Sequence, residues 1–403
     1  MVRPYLKRIQ IRNYKNIAAT VVDLQPGLTV LVGPNGAGKS NFVDALSFVA
    51  DCLNYSIHLA FRNRGGAAAV RRKSERRPGN LGLRFIIVLG DDGWADYAFE
   101  VTFRTGGAFE VATERCVVVP VFGQRHEFEA KNGVFTKQVP DIRPRLEPDR
   151  LALTILSATE EFRPVFDFLS SIRRYNLRPE SIRELQDPDQ GEGTNLLPDG
   201  RNAAAVLRRI MESGGKNGQN YERICHLLSR VVPGVVKVEP QPLGQKETLR
   251  FAQQATENRK WDFEALNMSD GTLRALGILL AVYQPQAAAL LAIEEPESTI
   301  HPGAAEILTD ILLDGTNRSQ VVITTHSPEV LDNKKITEDQ VLVAEAAEGI
   351  AQITPLPFGA KEAIRQKLYS VGELLRSGEV RVDRDLAKQR AQQVDLFAEL
   401  EGI

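Results

Sequence analysis

Cysteine is scarce in this 403-residue chain, with Cys52, Cys116 and Cys225 the only three. They lie far apart and are odd in number, which excludes a disulfide framework and any Cys-x-x-Cys metal pair. That pattern fits a reducing compartment, and the expected location is the cytoplasm. Net charge is nearly absent too, at −2, with a sequence pI of about 6.3. The chain as a whole is therefore not basic, and any nucleic-acid contact has to come from a local patch. The opening stretch MVRPYLKRIQIRNYKN lacks the apolar core of a signal peptide. Long apolar runs are missing as well. The best membrane candidate, LGILLAVYQPQAAALLAI (276–293), is interrupted by Gln284, Pro285 and Gln286. It reads as a helix end, a turn and a buried strand, so no membrane partner is expected. There is no internal repeat and no sustained heptad pattern. What is left is ordinary globular composition, 43% hydrophobic and 25% charged, with length for one large domain or two or three lobes.

Periodicity divides the chain into three parts. LKRIQIRNYKN and LTVLVG read as two strands around a turn at QPG, and NFVDALSFVADCL places Phe42, Val43, Leu46, Val49 and Leu53 at helical spacing. Strand-like runs follow (LGLRFIIVL, DYAFEVTFR, FEVATERCVVVP, GVFTKQVP), joined by hairpin signals GDDG and TGG. The middle turns helical in EFRPVFDFLSSIRRYNL, NAAAVLRRIMES and YERICHLLSRVV, with Gly/Pro/Asp-rich loops between and the short strands VVKVEP and ETLRFAQQ after. The last third alternates: a helix after MSDG, strand ALLAI, helix AAEILTDILL, strands QVVITT, QVLVAE and GIAQIT, then a helix near 361–376 and a charged tail. The expected division is lobe I over 1–150, a helical insertion over 151–265, lobe II over 266–380 and a tail over 381–403.

Residues 33–40, GPNGAGKS, match G-x-x-x-x-G-K-[ST] in full, between an apolar strand and an amphipathic helix. By average residue usage, chance gives such a match about once in a hundred chains of this length. The chemistry needs these residue types. Gly33, Gly36 and Gly38 let backbone N–H groups turn toward phosphate oxygens. The helix starting near Lys39 points its positive end at the same anion. Lys39 is expected on the β- and γ-phosphates of ATP, and the Ser40 hydroxyl on Mg²⁺. The expected cradle comprises Gly33, Pro34, Asn35, Gly36, Ala37, Gly38, Lys39, Ser40 and Asn41.

A second stretch, LLAIEEPESTIHPG (290–303), ends an apolar run in Glu294 and Glu295. Burying a carboxylate costs several kcal/mol unless it is paired. Neighbouring side chains on a strand face opposite ways. Glu294 is thus a candidate for the Mg²⁺ shell and Glu295 for accepting a proton from an attacking water. The plainer reading is a solvated acidic loop after a strand. Two further signals bear on it. MSDGTLRALG (268–277) puts Ser269 and Gly271 at a helix start, an anion site or a plain N-cap. VVITTHSPEVLD (321–332) ends a strand in His326, with Ser327 expected to cap a short helix that opens on Pro328. His326 is either a hydrogen-bond donor to a γ-phosphate or a satisfied loop histidine.

Taken in order, phosphate loop, Ser-x-Gly, acidic strand end and histidine strand end resemble the ABC-type ATPases. The resemblance implies an α/β P-loop head in which Ser269 and Gly271 complete the ATP site of a second copy. Catalysis would rest on Lys39, Glu295 and His326, with Ser40 and Glu294 holding the metal, in a head-to-head homodimer. Met268, Thr272 and Glu294 depart from that family's usual residues. ESTIHP fills the place of its dimer-contact loop, making Ser298 and His301 candidates for a subunit seam. The family's glutamine-loop residue is not fixed, with Gln124, Gln138 and Gln190 all open. About 230 residues separate the loop from the signature, which is long for a transporter subunit. LKRIQIRNYKNI before GLTVLVGPNGAGKSNFVDAL is similar to the SMC/RecF/OLD-type branch. YNLRP, LLPDGRNAAAVL and SVGELLRSGEV extend the likeness to compact bacterial AAA-family ATPases over roughly residues 5–380. That branch implies roles in DNA repair, chromosome organisation and phage defence. Only 77 residues follow His326, so a Toprim-type nuclease is expected on a separate partner, if at all. The alternative is a regulatory scaffold whose ATP state holds or releases an effector protein.

One basic stretch remains. Arg62, Arg64, Arg71, Arg72, Lys73, Arg76 and Arg77 share 62–77 with a single acid, Glu75. It is a candidate phosphate-neutralising loop for DNA or RNA. With no aromatic after Phe61 for base stacking, it implies no sequence reading, and a solvated loop explains it equally well. Arg173, Arg174 and Arg178 form a weaker cluster that also reads as helix-surface charge.

Overall fold

The computed structural model describes residues 3–73, 79–104, 107–137, 145–188, 193–212, 216–256 and 259–399. The chain forms two compact units. The first comprises Met1–Ile172, Glu338–Glu362 and Val380–Ile403, the second Arg173–Thr337 and Ala363–Glu379.

The first unit opens with strands β1 (Tyr5–Tyr14), β2 (Ile17–Asp23) and β3 (Leu28–Val32), then helices α1 (Lys39–Asn54), α2 (Ile57–Arg62) and α3 (Ala67–Val70). Strands β4 (Leu81–Val88), β5 (Gly93–Phe103), β6 (Phe109–Pro120), β7 (His126–Lys131) and β8 (Val134–Lys137) precede helices α4 (Ala152–Leu156) and α5 (Arg163–Ser170). The hairpin β1–β2 was not legible as two strands. It turns at Lys15, which sits at φ +48, a conformation that signals most strongly when glycine marks it. Seven strands make an antiparallel sheet in the order β2-β1-β4-β5-β6-β7-β8. In β4 seven of eight residues are buried instead of every second one, because that strand is covered on both faces. Later in the chain, β15 (Val341–Ala347) and β16 (Ile350–Pro355) return to this unit, β15 pairing parallel with β3 and antiparallel with β16.

The second unit holds β9 (Arg173–Tyr175), α6 (Pro179–Arg183), α7 (Ala203–Glu212), α8 (Lys216–Val231), β10 (Val235–Leu243), β11 (Lys246–Thr256), β12 (Arg259–Glu264) and α9 (Asp270–Tyr283). It continues with β13 (Leu290–Glu294), α10 (Ala305–Gly315), β14 (Gln320–Thr325) and α11 (Pro328–Leu331). Strand β13 lies between β14 and β9 and is parallel to both. Strands β10-β11-β12 form a separate antiparallel sheet. The membrane candidate 276–293 is the end of α9, a turn and β13. Among the described residues no helix is long and apolar enough to cross a membrane.

Several local readings change. The stretch 151–265 is split between the units after Ile172; the strands read at VVKVEP and ETLRFAQQ are β10 and β11, and β12 is added. The helix expected through Ile172 stops at Ser170, and Arg173 and Arg174 lie on a strand. The single helix near 361–376 is two, α12 (Phe358–Arg365) and α13 (Val371–Arg376). A capping box at the start of α13 fixes the break: Ser370 Oγ accepts from Glu373 N at 3.0 Å and Glu373 Oε2 accepts from Ser370 N at 2.7 Å. The tail contains α14 (Arg384–Gln392).

Candidate functional site

In the first unit, the phosphate loop joins β3 to α1. The three glycines serve different ends. A Cβ at Gly33 would stand 2.1 Å from Ala344 O, and one at Gly38 2.5 Å from the Ala351 side chain. These two are therefore required by the close approach of β15 and β16, an explanation the sequence alone did not suggest. Gly36 faces open space but sits at φ +79, which a side chain would strain. Helix α1 has no side-chain cap, so its first-turn amides keep their capacity for an anion. Lys39 is buried, and its Nζ donates to Gly33 O at 2.7 Å and Pro34 O at 3.0 Å. Asn41 donates to Asn16 Oδ1 at 2.7 Å, tying α1 to the β1–β2 turn. Pro34, Asn35, Gly36 and Ser40 are exposed, while Ala37 is buried.

In the second unit, the start of α9 and the ends of β13 and β14 converge. Ser269 is the N-cap of α9 and accepts from Thr272 N at 3.3 Å, so the plain capping role is present. A Cβ at Gly271 would lie 2.6 Å from Thr299 O, which brings the helix start against the loop after β13. Strand β13 ends at Glu294, which is buried and accepts from Arg174 Nε at 2.7 Å. Strand alternation was the expected device for separating the two acids. The structure instead turns the chain at Glu295, where φ is +41. A left-handed non-glycine residue costs roughly 1–2 kcal/mol. It is held there by Glu295 N donating to Thr324 O at 3.0 Å.

Arg274 supplies the second restraint. Its buried guanidinium donates to Leu177 O at 2.9 Å, Glu294 O at 3.0 Å and Glu295 O at 2.8 Å. Burial lowers its pKa from the usual arginine range, while Glu297 and Glu295 oppose that shift. One side chain on the signature helix thus fixes the backbone of both acids. Glu297 ties the same loop to β14: its carboxylate accepts from Thr325 Oγ1 at 2.6 Å, and burial raises its pKa. His326 Nδ1 lies 3.4 Å from Glu295 Oε1, both side chains being partly exposed. Ser327 occupies the N-cap position of α11 with Pro328 next, but its hydroxyl does not cap the helix. It donates to Glu329 Oε2 at 2.6 Å. Ser298, His301, Glu297 and His326 line a cleft of about 400 Å³.

Sequence reasoning missed Arg174, Arg274 and Glu297. An arginine five residues after Ser269 is the one available hint, since helical spacing turns it to the inward face of α9. The basic stretch is partly used up inside the first unit. Arg64 pairs with Asp44 at 2.9 Å and Asp51 at 2.7 Å, and Arg71 lies over the Phe103 ring at 4.8 Å. Arg62 and Lys73 are exposed and Arg72 half-buried. Arg76 and Arg77 lie outside the described residues. Gln124 is exposed in the turn between β6 and β7, and Gln138 and Gln190 lie outside the described residues.

A family model described as "AAA domain, putative AbiEii toxin, Type IV TA system" matches residues 125–332, more than half of the chain. The chain belongs to this family. A second model, described as "RecF/RecN/SMC N terminal domain", matches residues 5–78. The chromosome partition protein Smc of Mycobacterium tuberculosis is 52% identical over 46 residues, 11% of this chain and 4% of that protein. The DNA replication and repair protein RecF of Beutenbergia cavernae is 38% identical over 72 residues, 18% of this chain and 17% of that protein. The chain therefore spans only a small part of the curated relatives it matches. Two solved structures share its fold. The SmcHead bound to the C-winged helix domain of ScpA has a TM-score of 0.54 at 12% identity, covering 90% of this chain and 99% of that chain. The Smc head with an extended coiled coil bound to the C-terminal domain of ScpA, derived from Pyrococcus furiosus, gives 0.55 at 11%, covering 91% and 99%. The N-terminal stretch is thus similar to the RecF/RecN/SMC N-terminal domain, and the chain has the mixed α/β head fold expected from its motifs.

Proposed function

We propose that two copies of this chain close head-to-head around ATP and that hydrolysis reopens them, driving a DNA-repair or phage-defence complex. In this reading Gly33–Asn41 of one copy cradle the triphosphate, with Lys39 on its β- and γ-phosphates. Glu295 accepts the proton of the attacking water and His326 donates to a γ-phosphate oxygen. Ser269 and Gly271 come from the other copy. Ser40 and Glu294 offer hard oxygen donors, a hydroxyl and a carboxylate, which suit Mg²⁺. The ion would supply charge neutralisation on the phosphates. Arg174 pairs with Glu294 at 2.7 Å, a charge-assisted hydrogen bond.

The observation that carries the proposal is Arg274. It binds the carbonyls of both acids from the same helix that begins at Ser269. A triphosphate gripping that helix start favours one arrangement of the acids, and such differential binding is what a population shift requires. The test is Ser269→Arg: ATP binding is expected to persist while turnover falls at least a hundredfold. Unchanged turnover would return Ser269 to a capping role alone.

The family description names a type IV toxin–antitoxin system, which supports the defence arm. A second reading, a scaffold that holds an effector without touching nucleic acid, is favoured by the inward use of Arg64 and Arg71. Smc heads with bound ScpA domains likewise support a protein partner. DNA affinity across salt separates the two. A steep slope, reduced in a chain with Arg62, Arg72 and Lys73 replaced by alanine, supports nucleic-acid engagement. No binding at low salt leaves the scaffold.

A further inference from the structure

On the seven-stranded sheet, Gln10, Arg84, Ala98 and Arg115 stand side by side in register across β1, β4, β5 and β6. Gly82, two residues before Arg84, shares their face. Arg84 is 1% exposed and Arg115 6%. Buried guanidinium groups need acceptors, and the sheet meets only part of that need. Asp96 takes Arg84 Nε at 2.8 Å and Nη2 at 2.7 Å. Glu127 lies 3.5 Å from Arg115 Nε, and the other acceptors are main-chain carbonyls of residues 395–398. Arg84 donates to Asp395 O at 2.6 Å and Ala398 O at 2.7 Å, and Arg115 to Phe397 O at 2.8 Å. Between them Leu396 is 2% exposed. A Cβ at Gly82 would lie 2.0 Å from Leu396 Cδ1, so the missing side chain at 82 is the notch that the leucine fills.

Three carbonyls and one leucine are therefore what this face reads. Recognition of that kind depends on backbone and a single anchor, as in peptide-binding grooves. The segment's other side chains are only partly covered: Asp395 and Glu399 are exposed, and Val394, Phe397 and Ala398 half-buried. Gln10 Oε1, buried in the same row, has no hydrogen-bond partner among the described residues. It is an acceptor that the resident segment leaves unused and that a peptide N–H would satisfy.

We infer that this face is a peptide-binding groove whose ligand class is a leucine-anchored segment read through its main-chain carbonyls, filled in cis by Asp395–Ala398. The occupant it exchanges with is the same segment of a second copy, because every copy carries a sequence that the groove demonstrably fits. The linked segment holds a large effective concentration over its own groove, so exchange is slow unless the anchor is weakened. The inference is independent of the ATP site.

Two experiments on the full chain decide it. A labelled peptide of residues 393–399 is titrated against the chain carrying Leu396→Gly, which loosens the resident segment. Saturable binding is expected, at least tenfold tighter than to the unaltered chain and at least tenfold weaker for a peptide with glycine in place of the leucine. No binding to a variant that keeps its thermal midpoint, or equal binding of both peptides, overturns the groove. Should Leu396→Gly not fold, the second experiment stands alone. Chains carrying Gly82→Cys are mixed with chains carrying Leu396→Cys and oxidised. A covalent heterodimer is expected. Its absence, with or without peptide binding, overturns the second copy as the occupant.

Discussion

Replacing Arg274 by methionine removes three charged donors from the candidate site while keeping most of the side chain's apolar length. The three acceptors, Leu177 O, Glu294 O and Glu295 O, lie 2.8 to 3.0 Å away. A hydrogen bond from a charged donor contributes roughly 1.5–3 kcal/mol. Against that stands the cost of burying a guanidinium, several kcal/mol, whose presence is registered in the lowered pKa. The terms largely offset, and a net loss of about 2 kcal/mol in unfolding free energy is expected by urea titration. Activity should suffer more than stability. Glu295 sits in a left-handed conformation, its carbonyl accepting from Arg274 at 2.8 Å and from Ser298 N at 3.0 Å, and the variant leaves only the second of these. A shift of about 1 Å in a reacting group costs roughly a hundredfold. The turnover number is therefore expected to fall about a hundredfold, while the dissociation constant of a non-hydrolysable ATP analogue changes less than about threefold, since a threefold change is only about 0.65 kcal/mol. Arg274→Lys, with one donor head, should recover part of the rate. A methionine variant that loses stability but hydrolyses ATP at the original rate would refute the claim that Arg274 sets the geometry of the acids.

Two other perturbations follow from the same geometry. Arg174→Met frees Glu294 from its guanidinium partner. The Mg²⁺ concentration giving half-maximal nucleotide-dependent fluorescence should fall by about tenfold, the equivalent of about 1.4 kcal/mol; a rise would mean that Arg174 orients the carboxylate and does not compete for it. Glu114 is fully buried, accepting from Tyr97 Oη and Leu153 N at 2.9 Å each, and burial pushes its pKa up to about 7. The folded chain then holds a proton that the unfolded chain gives up above about pH 4.5. Glu114's contribution to stability is therefore full below about pH 4.5, declines as pH rises to 7 and is lost above that. Urea midpoints measured from pH 5 to 8 should show a decline that Glu114→Gln abolishes, and a contribution that grows with pH would contradict the assignment.

Much of the head was legible because its elements advertise themselves locally. GPNGAGKS carries its strand and helix with it, and the apolar runs at 290–294 and 320–325 read as buried strands before any contact was known. What was hidden depends on partners distant in sequence. Arg174 looks like surface charge until β9 is laid beside β13. Arg64 looks available for phosphate until α1 presents Asp44 and Asp51. Arg84 breaks the alternation of β4, and Asp96 together with residues 395–398 explains its burial. Gly33 and Gly38 were legible as necessary, but the reason lies in Ala344 and Ala351, some three hundred residues away. Short elements escaped for a different cause: β7 and β12 are six residues each, too brief and too polar for periodicity to separate them from loop.

The central claim is that ATP joins two copies, each completing the other's site. Its most direct test is the mass of the Glu295→Gln chain by light scattering, with and without Mg-ATP. A monomer without nucleotide that becomes a stable dimer with it is the predicted result, the carboxamide blocking hydrolysis while leaving binding intact. A chain that stays monomeric with ATP bound, while the unaltered protein hydrolyses ATP at full rate at high dilution, would contradict it.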